Sequence, residues 1–121
     1  MSLALSQKTI GNIQVLVLAG EIDAQTLPPL EGKLQELLDK GHYSFVLDFQ
    51  QVSFIASAGL GVLMSVIGTI QENNGDLVIA SAQPEVYRTF DLLDFTTLFK
   101  FTDSVAAGVA LFPNAAGVQG D

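Results

Sequence analysis

The chain has 121 residues, 49% of them hydrophobic, enough for one continuous core and too few for two. Thirteen acidic residues against five basic ones leave a formal charge of minus 8, which opposes nucleic acid and anionic membranes. It favours a basic protein partner or, on the plainer reading, simply keeps a small domain in solution. With no cysteine and one histidine, His42, disulfides and thiol chemistry are excluded, and any zinc site would depend mostly on carboxylates.

Leu3 to Thr9 forms a first short strand, and Gly11-Asn12 is a hairpin turn. Ile13 to Ala19 carries apolar residues on both faces and is expected as a central strand covered on both sides. Gly20-Glu21-Ile22-Asp23 leaves that strand, and Asp23 or Thr26 caps a helix whose first turn tolerates Pro28 and Pro29. Leu27, Leu30, Leu34, Leu37 and Leu38 recur at helical spacing, and Gly41 stops the helix. Tyr43 to Phe49 is the next strand, with Asp48 inside its apolar run, either near an exposed end or held by local hydrogen bonds.

A second helix is predicted from Ser57 to about Asn73, with Leu60, Leu63, Met64, Ile67 and Ile70 toward the core and Val62 and Val66 to the side. Leu77 to Ala80 is a strand. Ser81 and Pro84 open a third helix bearing Val86, Phe90 and Leu93. Leu98 to Phe101 is the last strand, and Asp103 caps a final helix with Val105, Val109 and Phe112. The expected fold is α/β: one mixed sheet with an N-terminal hairpin, mostly parallel later strands and about four helices packed mainly on one side. The longest apolar runs fall short of the roughly 20 residues of a membrane helix, and the N-terminus lacks a basic leader, so a cytoplasmic location is expected; a monomer is expected because the patterned faces can be buried within one sheet-and-helix domain.

Chemistry concentrates where a loop meets a helix, at Phe54-Ile55-Ala56-Ser57-Ala58-Gly59-Leu60-Gly61. Ser57 is either an ordinary helix cap or a modification switch, because a phosphate there adds about 1.5 to 2 negative charges beside free helix amides. Ala58 and Gly59 are expected to keep the helix start open to a partner; on the plainer reading Gly59 and Gly61 are packing or bending residues. Glu21 and Asp23 are either a turn and cap or an acidic recognition edge. Enzyme readings fail early: no base and orienter accompany Ser57, Asp48 stands without a partner base, and Gly59-Leu60-Gly61 lacks the lysine of a phosphate-binding loop. His42 falls in a helix-to-strand turn with an exposed structural role. No catalytic residue, intrinsic cofactor or metal ligand is expected.

These features occur in the order found in a known family. Val46-Leu47-Asp48-Phe49, then Val52, Phe54-Ile55 and Ser57-Ala58-Gly59-Leu60-Gly61-Val62-Leu63, resemble the STAS domain family, in particular its soluble bacterial anti-sigma factor antagonists. Gly20-Glu21-Ile22-Asp23 is similar to the family's acidic motif, and Val86 to Leu93 with Phe95 and Leu98-Phe99 to its third helix and last strand. The resemblance covers about residues 4 to 112 of a single domain spanning 1–121, leaving 113–121 as a tail.

The resemblance implies a partner-switching cycle. The unphosphorylated chain binds an anti-sigma factor that is also a serine kinase and frees a sigma factor. The kinase, using ATP and magnesium, phosphorylates Ser57, and a PP2C-type phosphatase restores the free form. The implied partner surface is Glu21, Asp23, Asp48, Ala56, Ser57, Ala58, Gly59 and Leu60. Many members carry an acidic residue immediately before this serine, whereas this chain has Ala56; the alternative is a STAS adaptor of another signalling protein that does not use the Ser57 switch.

Overall fold

The computed structural model describes residues 2–113, so most of the tail expected at 113–121 lies outside the described residues. Five strands form one sheet in sequential order: β1 Leu3–Ile10, β2 Ile13–Ile22, β3 Ser44–Ile55, β4 Asp76–Ala80 and β5 Lys100–Thr102. β1 and β2 are an antiparallel hairpin closed by Gly11-Asn12, with Gly11 at a φ of 62° that glycine adopts without steric cost. The other neighbouring pairs are parallel, and the helices α1 Leu27–Asp39, α2 Ser57–Glu72, α3 Pro84–Leu92 and α4 Val105–Ala110 fall between or after the strands. The mixed sheet, its hairpin and its four helices are those the sequence led us to expect.

Each face of the sheet has its own core. Leu16, Leu18, Phe45, Leu47, Leu77 and Ile79 point to one side, where they meet the leucines of α1, Leu60, Leu63, Val66, Ile67 and Ile70 of α2, and Val86 and Phe90 of α3. Ile13, Val15, Val46, Val78 and Ala80 point to the other side and are covered by Val109 and Phe112. Three helices therefore share one face and short α4 takes the other, which explains why β2 is apolar on both sides.

The end of β3 departs from regular alternation. Val17 pairs with Asp48 but Ala19 with Gln51, and Gly20 pairs with Val52 but Glu21 with Phe54. At each step β3 spends one residue more than β2, so it carries two bulges. Strict alternation after Phe45, Leu47 and Phe49 would turn Gln51 and Ser53 toward the helices. With the bulges, Val52 is buried in their place and Gln51 and Ser53 are exposed, while the second bulge returns Ile55 to the inward face. The first bulge is held by side chains. Asp48 Oδ1 accepts from the Gln50 N–H at 3.0 Å, and Gln83 Nε2 donates to the Gln50 carbonyl at 2.9 Å. β4 ends at Ala80, where Ser81 turns away with a φ of 60°, so the Gln83 side chain supplies a donor beyond the end of that strand.

Several local boundaries differ from the sequence reading. β2 and β3 run on to Ile22 and Ile55, because the two chains keep pairing through the bulges. The third helix is entered from Gln83, since Ser81 is in the left-handed region and donates its hydroxyl to the Asp103 carbonyl. Leu93 lies at the end of that helix and is exposed; Met64 packs against the core partly buried, as expected, and Val66, expected at the side, is buried within it. Phe95–Thr97 winds into a short 3-10 turn and delays the last strand to Lys100. Ser104, not Asp103, caps α4 by accepting from the Ala107 amide at 3.0 Å.

Asp48→Ala and Gln83→Ala are each expected to lower stability by about 1–2 kcal/mol in urea unfolding, because each strips a partner from the same bulged residue. The double variant is expected to deviate from the sum of the two, showing that the pair acts through Gln50.

Candidate functional site

β2 and β3 finish side by side at Ile22 and Ile55, and α2 begins at once on top of them. The Ala56 N–H donates to the Ile22 carbonyl at 2.8 Å, which fixes Ala56 in extended conformation (φ -88°, ψ 167°) as the N-cap. Its carbonyl accepts from the Gly59 and Leu60 amides at 2.9 and 3.2 Å. Ser57 is thus the first residue inside the helix, one position later than a cap, and no side chain caps α2. The expectation that its hydroxyl receives the first-turn amides is corrected for that reason. Ser57 and Ala58 are exposed, at the start of a 16-residue helix whose free amides and dipole favour negative charge.

Gly59 and Leu60 face inward. A Cβ on Gly59 would sit 2.7 Å from Ile22 Cγ2 and 3.0 Å from Ile55 Cγ1, so this glycine lets the helix rest on the strand ends. Of the two readings of Gly59, an open helix start or packing, the structure bears out packing, and Leu60 is 2% exposed in the core. The bare outward position is Gly61, one turn after Ser57, where an added Cβ meets nothing within 4 Å.

Glu21 and Asp23 flank the end of β2 and are half-buried. The Asp23 carboxylate accepts from the Thr26 and Gln25 amides at 3.0 and 2.9 Å, while Thr26 Oγ1 accepts from the Asp23 amide and donates to the Glu21 carbonyl. The Thr26 amide, with smaller help from Gln25, holds the Asp23 carboxyl below its ordinary value of 3.8, against a desolvation effect that raises it. Asp23 therefore stays ionised while it builds the turn into α1; the helix itself starts at Leu27 with Thr26 as N-cap, and neither Asp23 nor Thr26 supplies the side-chain cap read from the sequence.

Asp48 stands apart from this group. It precedes Ile55 by seven residues of β3, on the order of 20 Å along the strand, and alternation turns it away from the helix face used by Phe49. Its geometry matches the structural role, through Gln50, rather than membership of a surface around Ser57. His42 lies beyond the opposite strand ends, with Nδ1 3.4 Å from Gln14 Nε2. Among the described residues no group of three or more acidic or histidine side chains is placed to hold a metal ion, and no helix is long and apolar enough to cross a membrane. One residue of the site went unremarked in the sequence except as part of a motif: Phe54, at the second bulge, keeps half of its surface exposed.

The STAS domain family model matches residues 4–108. Over 111 residues the chain is 30% identical to BtrV of Bordetella bronchiseptica, provisionally named an anti-sigma factor antagonist, covering 92% of this chain and 96% of that protein. An anti-sigma factor antagonist from Mycobacterium paratuberculosis has a solved structure similar to this one with a TM-score of 0.82, at 20% identity and over 90% of this chain and 92% of that one. The Bacillus cell fate determinant SpoIIAA, solved in its phosphorylated form, has the same fold with a TM-score of 0.72, at 16% identity and over 90% of this chain and all of that one (100%).

Two glycines two positions apart are expected to respond with opposite sign. Gly59→Ala destabilises by about 1–3 kcal/mol, because the methyl group must displace Ile22 and Ile55. Gly61→Ala stabilises by about 0.5–1 kcal/mol, because open space surrounds it and alanine is the better helix former. Thermal or denaturant unfolding of the two variants checks both.

Proposed function

This chain belongs to the STAS domain family, and from that membership we propose that it is an anti-sigma factor antagonist switched by phosphorylation of Ser57. In this reading the unphosphorylated form binds an anti-sigma factor with serine kinase activity and so releases a sigma factor. The observation that carries the reading is the exposed Ser57 at the start of α2, where no side chain caps the helix, seated on the ends of two strands and beside the turn that holds Glu21 and Asp23.

The kinase supplies ATP, magnesium and the catalytic groups. The Ser57 oxygen forms a bond to the γ-phosphorus, the bond from that phosphorus to the β,γ-bridging oxygen breaks, ADP departs, and the hydroxyl proton passes to a base of the kinase. The chain is a substrate and regulator in this cycle, with no active site or cofactor of its own. A phosphate on Ser57 is tolerated by the fold, since it faces solvent and the helix amides stabilise an anion. Binding is affected differently. The added charge, beside Glu21 and Asp23, opposes a surface that must be desolvated on docking. A loss of about 2.8 kcal/mol weakens binding roughly 100-fold. Hydrolysis of the phosphoserine by a PP2C-type phosphatase restores the binding form. The reading places a monomer in the cytoplasm, with neither nucleic acid nor membrane as partner.

Ala56 makes no charge contribution next to Ser57, so kinase recognition must use other acidic groups, with Glu21 and Asp23 adjacent. The same substitution favours a second reading, in which a STAS adaptor regulates another signalling protein and the serine switch is unused.

Affinity capture with the native chain and with Ser57→Glu, followed by mass spectrometry, separates the two. An anti-sigma factor of the kinase type retained by the native chain and lost with Ser57→Glu is the expected result. If both forms hold the same proteins and none is an anti-sigma factor, sigma regulation is ruled out and the adaptor reading takes its place.

A further inference from the structure

Beside Ser57 the molecule has an unfilled cleft. Ser53, Phe54 and Ile55 at the end of β3 and Glu85, Val86 and Thr89 of α3 surround a cavity of about 150 Å³. Phe54 keeps 50% of its surface exposed on one side. Glu85 is exposed in the first turn of α3, and among the described residues it enters no salt bridge, although Arg88 follows three residues later on the same helix. Thr89 directs its hydroxyl to the Glu85 main-chain carbonyl at 3.2 Å, which leaves the carboxylate to other partners.

The size and lining narrow what fits. Sites for small molecules run to about 300–1,000 Å³, so this cleft has room for one side chain rather than a metabolite. Its lining combines Phe54 and Glu85 with the hydroxyl residues Ser53 and Thr89 over the buried Ile55 and Val86, and it is more polar than apolar, surroundings suited to a planar cation beside a ring. Arginine matches better than lysine, because its planar group stacks on a ring while its N–H fork engages a carboxylate. The formal charge of minus 8 attracts a basic partner surface, and Phe54 and Ile55 pair with Glu21 and Ile22 just before the Ala56 cap, so the cleft opens at the same end of the sheet as the docking surface proposed above.

We propose that an arginine of the partner that docks over Ser57 inserts between Phe54 and Glu85 and anchors the complex there. This inference rests on the reading of the Ser57 surface as the docking site. The anchor contributes to affinity and partner choice, as buried aromatic and arginine contacts do at protein interfaces, and takes no part in phosphoryl transfer.

The test uses the purified anti-sigma factor retained by the native chain, titrated at low and high salt against native protein, Glu85→Gln, Phe54→Ala, Phe54→Leu, the Glu85→Gln/Phe54→Ala pair and Ser57→Glu. Melting temperatures are recorded in parallel. Glu85→Gln and Phe54→Ala are each expected to weaken binding at least about fivefold. The pair should lose less than the product of the single effects, since both contact one arginine. Glu85→Gln also flattens the salt dependence and leaves the saturating rate of Ser57 phosphorylation unchanged. Phe54→Leu, which keeps apolar bulk but removes the ring, separates stacking from folding. Native affinity and salt dependence in the folded Glu85 and Phe54 variants would overturn the anchor, even where Ser57→Glu abolishes binding. Weakened binding in the cleft variants with native affinity in Ser57→Glu would support the anchor while rejecting the phosphorylation switch.

Discussion

Between Asp48 and Ile55, β3 uses two more residues than β2 needs to reach the same end of the sheet. That surplus decides which side chains face the helices and where the strand delivers the chain. It buries Val52 in the helix-side core, turns Gln51 and Ser53 out, returns Ile55 to the inward face, and brings Ala56 to the Ile22 carbonyl. A slip of one residue would exchange every face from there on and carry Ser57 off the strand ends. The bulge is kept in place by Asp48 and Gln83 on the two main-chain groups of Gln50. Asp48, far from Ser57, thus bears on the site through register rather than contact.

The arrangement at the helix start separates folding from binding. Gly59 packs inward against Ile22 and Ile55, and Ala56 makes the cap by its backbone, so the stability of this corner does not draw on the Ser57 hydroxyl. A charge placed on that hydroxyl meets favourable helix amides within the chain and unfavourable carboxylates toward a partner. In the proposed phosphorylation switch, those opposed local fields alter association while leaving the fold in place. Asp23, held ionised by the Thr26 and Gln25 amides, keeps its share of that acidic edge while it closes the turn.

Much of this was legible in the residues. The leucines of α1, the two-sided apolar pattern of β2 and the Gly11-Asn12 turn led directly to the right elements, because each rests on local periodicity or turn chemistry. The bulges escaped, although the spacing of Phe49, Val52 and Ile55 at three instead of two carries their signature. The position of Ser57 was misread by one residue because an N-cap was assigned by side-chain preference, whereas here the cap is set by the hydrogen bond from Ala56 to a strand distant in sequence. Gly59 and Gly61 look alike in sequence, and only packing tells the inward glycine from the outward one. Phe54 reads in the sequence only as part of the motif where a loop meets a helix, because the strand is expected to end at Phe49; the second bulge turns it outward near the end of β3.

The central claim is that phosphate on Ser57 breaks a complex without unfolding the chain. Calorimetric titration of the anti-sigma kinase with unphosphorylated protein and with protein stoichiometrically phosphorylated at Ser57, alongside thermal unfolding of both, addresses it most directly. The account predicts an affinity lower by about 100-fold on phosphorylation, with a melting temperature equal to or above that of the unphosphorylated form. Equal affinities for the two forms, or a loss of affinity that appears only together with a lowered melting temperature, would contradict it.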